Sequence, residues 1–387
     1  MQRSTAVSAL LQDVSSLNSG GAFGCRHFFV RVARAGCRLM AMADLIETLL
    51  GLSPGAPLTE LRAERADIRR HTQGAYRELV TPAEPGGLTL PERAGLALRV
   101  ARGEGDARLA AHFESLGPAA GDSGRMPLLL PYADLVARQA GQVGQGHIDA
   151  LRGAGLSPQD VVAVTQLVAF VPFQVRVLAG LRAMLGADGV GEAVHPVAAP
   201  VRFTMAEVAW SPRVPPVEAD GATPAQLAAL DACPPAVRRS TYFLTLALDP
   251  ASLGERGALF NSVMYAPRGL PRAERELATA VVSMVNGCVY CCSVHARRFA
   301  ELTRDPAPMQ RLLDEGFGTL ALEPRQAAIV AFAAKLTAAP GQVRGADLVP
   351  LREEGLAPLA LLDLVHAIAM FANANRLMQA LGDSVPP

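Results

Sequence analysis

An internal repeat constrains this chain more than any other feature of its sequence. At an offset of 200 residues, Gly141-Gln142-Val143 is matched by Gly341-Gln342-Val343, Leu151-Arg152 by Leu351-Arg352, and Gly155-Leu156 and Pro158 by Gly355-Leu356 and Pro358. Ala169, Arg176 and Leu181 are matched by Ala369, Arg376 and Leu381, and Tyr132 meets Phe332 in the same register. Identities held in one register over about fifty residues point to a tandem duplication of one unit. Whatever that unit is, the chain has to build it twice.

The unit is helical. Leu58 to Tyr76 and Pro91 to Leu116 alternate charged residues with Ala and Leu at helical spacing, Pro82 to Gly87 makes a turn, and Gly117 to Met126 a looser loop. Residues 44–185 form a first helical domain in this reading. Residues 186–223, with Pro196, Pro200, Pro212, Pro215 and Pro216, form a linker that Trp210, within it, packs onto a domain. Helical patterning resumes at Thr223-Pro224, a capping signal, and residues 224–387 make the second domain. The expected fold is therefore all-α, two tandem helical domains. Residues 1–43, with several arginines and serines and a single acid, Asp13, read as a disordered leader or as a start placed upstream of Met40 or Met42.

Composition narrows the partners. The 36 basic and 36 acidic residues cancel, which gives no general attraction to nucleic acid or to an anionic membrane. The most apolar runs, Val161 to Phe173 and Leu359 to Ala372, are interrupted by polar residues or proline and fall short of the ~18 residues a membrane span needs. They read as buried core helices. Six cysteines, three of them within Cys288 to Cys292, are no disulfide framework, and a reducing cytoplasm is the expected compartment.

The chemistry concentrates in Glu276 to His295, ELATAVVSMVNGCVYCCSVH. Cys288, Cys291 or Cys292, His295 and Phe299 step by three or four residues and share a helix face. Asn286-Gly287 breaks the preceding helix, so the thiols fall in the first turn of a new one, where free backbone N–H groups favour a thiolate. His295 is one turn from Cys291 and can exchange a proton with it, and Glu276 would approach from the preceding helix. Two thiols three residues apart can close a disulfide, which makes the pair a two-electron redox centre. Zinc would need four ligands, and Cys25, Cys37 and Cys233 supply no second Cys-x-x-Cys. A thioredoxin-type pair would follow a strand, whereas these flanks are helical. Two buried, inert cysteines are the remaining structural alternative.

Glu276, Cys288, Cys291 and His295, within NGCVYC and followed by ARRFAEL, resemble the alkylhydroperoxidase D and carboxymuconolactone decarboxylase superfamily, in particular its peroxidase-related branch. The resemblance implies that Cys291 is the peroxidatic nucleophile, Cys288 the resolving thiol, and Glu276 and His295 a proton relay. It implies a peroxide substrate, an external thiol or disulfide reductant, a homo-oligomer of three or more subunits, and no metal or organic cofactor. Where the well-studied peroxidases of the family carry a second histidine between the cysteines, this chain has Tyr290. Cys292 is an additional thiol, and His366, on the last apolar helix, is a further candidate for the pocket. A lactone decarboxylase or isomerase on the same fold, and a redox sensor or scaffold without turnover, stay open as other functions.

The first half lacks this equipment. Leu90-Pro91 corresponds to Leu270-Pro271, and Ala111 to Leu116 to the stretch His295 to Leu302 with a few residues deleted. No cysteine occurs between Ala41 and Ala232, and Gln166 stands where the second half has His366. The expectation is a degenerate first copy beside an active second one.

Overall fold

Several helices begin where the sequence places a capping residue just ahead of a proline. Thr89, Ser157 and Thr223 each close a reciprocal capping box with the third helical residue, Glu92, Asp160 and Gln226, and each helix has proline in its first two positions. The structure, a computed structural model, describes residues 44–117, 124–191, 193–195, 201–235, 238–318 and 322–385. The leader read at residues 1–43 lies outside them.

The principal helices are α1 (Ala66–Val80), α2 (Leu90–Gly103), α3 (Ala107–Ser115), α4 (Met126–Gln139) and α5 (Pro158–Met184), then α6 (Thr241–Leu246), α7 (Pro250–Met264), α8 (Arg272–Val285), α9 (Val289–Thr303), α10 (Pro324–Ala338) and α11 (Pro358–Leu381). The fold is all-α. Among the described residues the strands are Ala209–Pro212 and Gly382–Val385, an antiparallel pair that ties the chain between the halves to the end of α11. Trp210 of this pair donates its indole N–H to Met378 O and meets Tyr242 edge-on. The described residues from Ile46 onward form one compact unit.

The repeat is visible in three dimensions. Helices α1 to α5 recur in the same order as α7 to α11, and two matched pairs pack on each other, α5 along α11 and α1 against α7. Matched ion pairs accompany them: Glu92 on α2 binds Arg125 ahead of α4, and Glu274 on α8 binds Arg325 on α10, both at 2.7 Å. So do two buried arginines. Arg93 donates to the carbonyls of Leu79, Pro85 and Leu88, and Arg275 to those of Met264, Ala266 and Arg268, so each ties the start of its helix to the end of the helix before.

Helices α5 and α11 are longer than their apolar runs suggest, because Gln166, Pro172, Asp363 and His366 are absorbed without a break. Both are long and apolar enough to cross a membrane, and both are almost wholly covered by the rest of the protein. They are core helices, apolar all round because they are surrounded. Gly180 lets them meet: a Cβ there would lie 2.5 Å from both methyls of Val365.

One buried carboxylate fastens the second copy. Asp363 on α11 accepts from Arg65 at 2.7 and 2.9 Å, from Arg275 at 2.9 Å and from the backbone N–H of Leu270 at 3.0 Å. Gly269, at φ +63°, makes room for it, since a Cβ at that position would lie 2.0 Å from the carboxylate. Asp363→Ala leaves two arginines buried without their acid and should lower unfolding stability by about 3–5 kcal/mol. Gly180→Ala should cost about 1–3 kcal/mol through overpacking. Urea denaturation checks both, and Val365→Ala should recover part of the Gly180→Ala loss.

Candidate active site

The site is built at the α8–α9 junction. Gly287, at φ +71°, ends α8 with a Schellman turn in which Cys288 N–H reaches Ser283 O (2.8 Å) and Gly287 N–H reaches Met284 O (3.2 Å). Cys288 thereby becomes the N-cap of α9, and Cys291 lies in its first turn. The first copy makes the same turn: Gly105 has φ +79°, Asp106 N–H reaches Ala101 O, and Asp106 caps α3. Counted from that shared turn, Leu109 stands at the place of Cys291, Phe113 at that of His295 and Ala94 at that of Glu276. This register differs from the one read in sequence, which aligned His112 with His295. Asp106 has also acquired its own partner, the buried Arg182, at 2.6 and 3.3 Å.

Cys291 is 4 % exposed and opens on a cavity of about 460 Å³, which Glu276, Tyr290 and His295 also line. The Cys288 thiol and the Asn375 amide are near enough to influence its thiol. Position on a helix N-terminus favours the thiolate, but in the folded chain other effects win. Burial, and then the neighbouring Cys288 thiol, raise the Cys291 thiol well above the ordinary cysteine range, while Asn375 and Arg256 pull the other way. The thiolate expected from the helix position is therefore not the resting state. Cys288 is fully buried behind Cys291.

Glu276 is buried and held from two sides. His295 Nδ1 lies 2.5 Å from one carboxylate oxygen, and Arg272 Nε donates to the other at 2.5 Å. Burial alone would raise the carboxyl; His295 and Arg272 outweigh it, and the group is held below the usual carboxylate range. An ionised Glu276 fixes the proton of His295 on Nδ1 and leaves Nε2 to take or give one. The His295 ring stands edge-on to Phe371, with ring centres 4.3 Å apart.

The remaining candidates fall elsewhere or play other parts. Cys292 is fully buried off the cavity, and burial raises its thiol. His366 is also off the cavity: its Nδ1 is engaged with Leu362 O of its own helix, and burial, with Arg62 adding, brings its imidazole down to about 4. Tyr290 is half-buried at the cavity wall, with its hydroxyl pKa raised, first by burial. Among the described residues no three His, Cys, Asp or Glu side chains converge as a metal set.

Arg272, Asn375, Arg256 and Tyr242 join the site without having been singled out by motif. Arg272 could be read from its spacing of four to Glu276. Asn375 lies in the Asn373–Arg376 cluster, where it accepts from Asn286 and donates to Ser283, bracing the turn that presents the thiols. Arg256 and Tyr242 come from α7 and α6 and have no sequence signal; only the packing brings them here.

The carboxymuconolactone decarboxylase family profile matches residues 253–316, a span holding all four of Glu276, Cys288, Cys291 and His295. No curated protein matches the chain. Among solved structures, an uncharacterized peroxidase-related protein from Ralstonia eutropha JMP134, described as an alkylhydroperoxidase AhpD core, is 27 % identical. It matches over 39 % of this chain and 86 % of its own, at a TM-score of 0.35. The family profile thus lies across the thiol turn and the relay pair, and this stretch of the second half is similar to the carboxymuconolactone decarboxylase family.

Proposed function

We propose that this protein is a thiol-dependent peroxidase that reduces a hydroperoxide through a Cys288/Cys291 dithiol–disulfide cycle. The observation that carries this reading is the placement of Cys288 as N-cap and Cys291 in the first turn of one helix, beside a cavity whose wall also holds the Glu276–His295 pair. His295 takes the Cys291 proton, and the thiolate attacks the distal oxygen of ROOH. An S–O bond forms, the O–O bond breaks, and the departing RO⁻ takes the proton back from His295, giving ROH and a sulfenic acid. Cys288 then displaces water from the sulfenic acid to close the disulfide. An external dithiol returns both thiols to the reduced state, which suits a reducing cytoplasm.

The first half is read as a degenerate copy of the same unit, kept for packing and for assembly. A homo-oligomer of three or more subunits goes with this reading, and a monodisperse monomer in light scattering at micromolar concentration would remove it.

One equivalent of hydroperoxide should consume two thiols and join Cys288 to Cys291 in peptide mapping. Cys291→Ser should abolish the reaction, and Cys288→Ser should stop it at a sulfenic acid that a dimedone-type probe traps. A lactone decarboxylase would keep its activity without either thiol.

Because the resting Cys291 thiol lies above the ordinary range, its thiolate is scarce at neutral pH. The rate of disulfide formation should therefore keep rising from pH 7 to 9, where a low-pKa thiol would already have levelled off. Glu276→Gln and His295→Ala should each slow the step by about 10²–10⁴-fold in stopped-flow assays. Tyr290→His, restoring a second imidazole beside the nucleophile, should raise the rate.

A further inference from the structure

The charges on the cavity wall do not balance. Arg272 is paired with Glu276 and Arg298 with Glu301, and all four line the cavity. Arg256 and Arg297 line it too, and among the described residues neither has a carboxylate partner. Arg297 is half-buried on α9. Arg256, on α7, is 7 % exposed. Its Nε donates to Asn373 Oδ1 and one terminal nitrogen to the Tyr242 hydroxyl, both at 3.1 Å, while Nη1 is buried with no hydrogen-bond partner among the described residues. A guanidinium cannot shed its charge, so an unmet donor on a buried arginine is costly unless something fills it. The walls around it are apolar: Phe243, Phe260, Phe371 and Met378.

Resting on the peroxidase reading above, we infer that the substrate is an organic hydroperoxide that carries a carboxylate, and that Arg256 binds the carboxylate. The aromatic walls take the hydrocarbon body, and a volume of about 460 Å³ lies within the range that holds such a molecule. The planar fork of arginine suits a carboxylate better than a neutral ester or alcohol, neither of which offers it a charge. Arg297 adds a second positive charge and favours entry of the anion. Arg256 acts here as a specificity residue, leaving the proton relay to Glu276 and His295.

The test compares linoleic acid hydroperoxide with its methyl ester, in full-length protein supplied with a dithiol reductant. The acid should be reduced with a kcat/KM about tenfold or more above that of the ester. The preference should collapse toward unity in Arg256→Met and return in part in Arg256→Lys; the acid-to-ester ratio is the readout, because Arg256 also acts on the Cys291 thiol and its loss alters the rate with both substrates. Equal kcat/KM for acid and ester in the wild-type protein overturns the inference, whether or not the arginine variants fold. Calorimetry with linoleate and methyl linoleate on Cys291→Ser reads binding apart from turnover. Equal affinities there also overturn the inference. Tight, Arg256-dependent binding of linoleate with no hydroperoxide consumed by the wild type overturns the peroxidase reading, and with it the identification of the bound acid as a substrate.

Discussion

The second copy is organised around the carboxylate of Asp363. Its oxygens receive two arginines and a backbone N–H from three separate stretches: Arg65 ahead of α1, Arg275 in the first turn of α8, and Leu270 in the loop before it. Charges in a dry interior are tolerable only when most of their donors are met, and Arg275 places its two terminal nitrogens on three carbonyls and the carboxylate, with Nε alone left without a partner among the described residues. The consequence reaches the site one residue later. With Arg275 turned into the core and each helical residue rotated by about 100°, Glu276 is swung onto the neighbouring face, where α9 brings His295 to it. A structural ion cluster thus sets the angle of a residue that takes no part in it.

The recurring order of five helices gives the molecule two long buried helices, and the thiols lie beside only one of them. Each copy needs a partner to cover its apolar helix, and the other copy supplies it, α5 against α11 and α1 against α7. That requirement concerns shape and capping, so the first half retains Arg93, the Glu92–Arg125 pair and the turn at Gly105. Nothing in it calls for a thiol or a relay. Leu109 and Phe113 fill the corresponding space, and both are buried. The second copy draws on α6 and α7 for Tyr242 and Arg256, which close its cavity from a side that the thiol motif does not reach.

Much of this was legible in the residues themselves. Caps such as Ser157-Pro158 carried the helix starts, because they are local signals, and the offset of 200 pairs α5 with α11, the two long helices that pack on each other. The Asn286-Gly287 break carried the placement of Cys288 and Cys291, since only a left-handed residue there lets one helix end and another begin at once. Two readings failed for one reason. The acidity of Cys291 and the position of His366 both depend on what lies across the core, and spacing along one helix holds no information about that. His366 has the periodicity of a cavity residue, but α11 is buried on every side, so its apolar pattern does not say which face meets which neighbour. Arg256 was invisible because its place at the cavity comes from the packing of α7, for which the sequence carries no motif.

The shared turn at Gly105 and Gly287 also shows what a thiol in the first half would displace. Asp106 sits where Cys288 does, and its carboxylate is the partner of Arg182, a buried residue whose counterpart in the second copy is Gly382. Replacing Asp106 with cysteine would strand that arginine in the core at a cost of about 3–5 kcal/mol, before any relay had been rebuilt at Ala94 and Phe113. Each of those reversions is unrewarded until the others are present. At this turn the Arg182 bridge and a thiol therefore exclude one another: the first half takes the stronger core, and the second takes the cysteine.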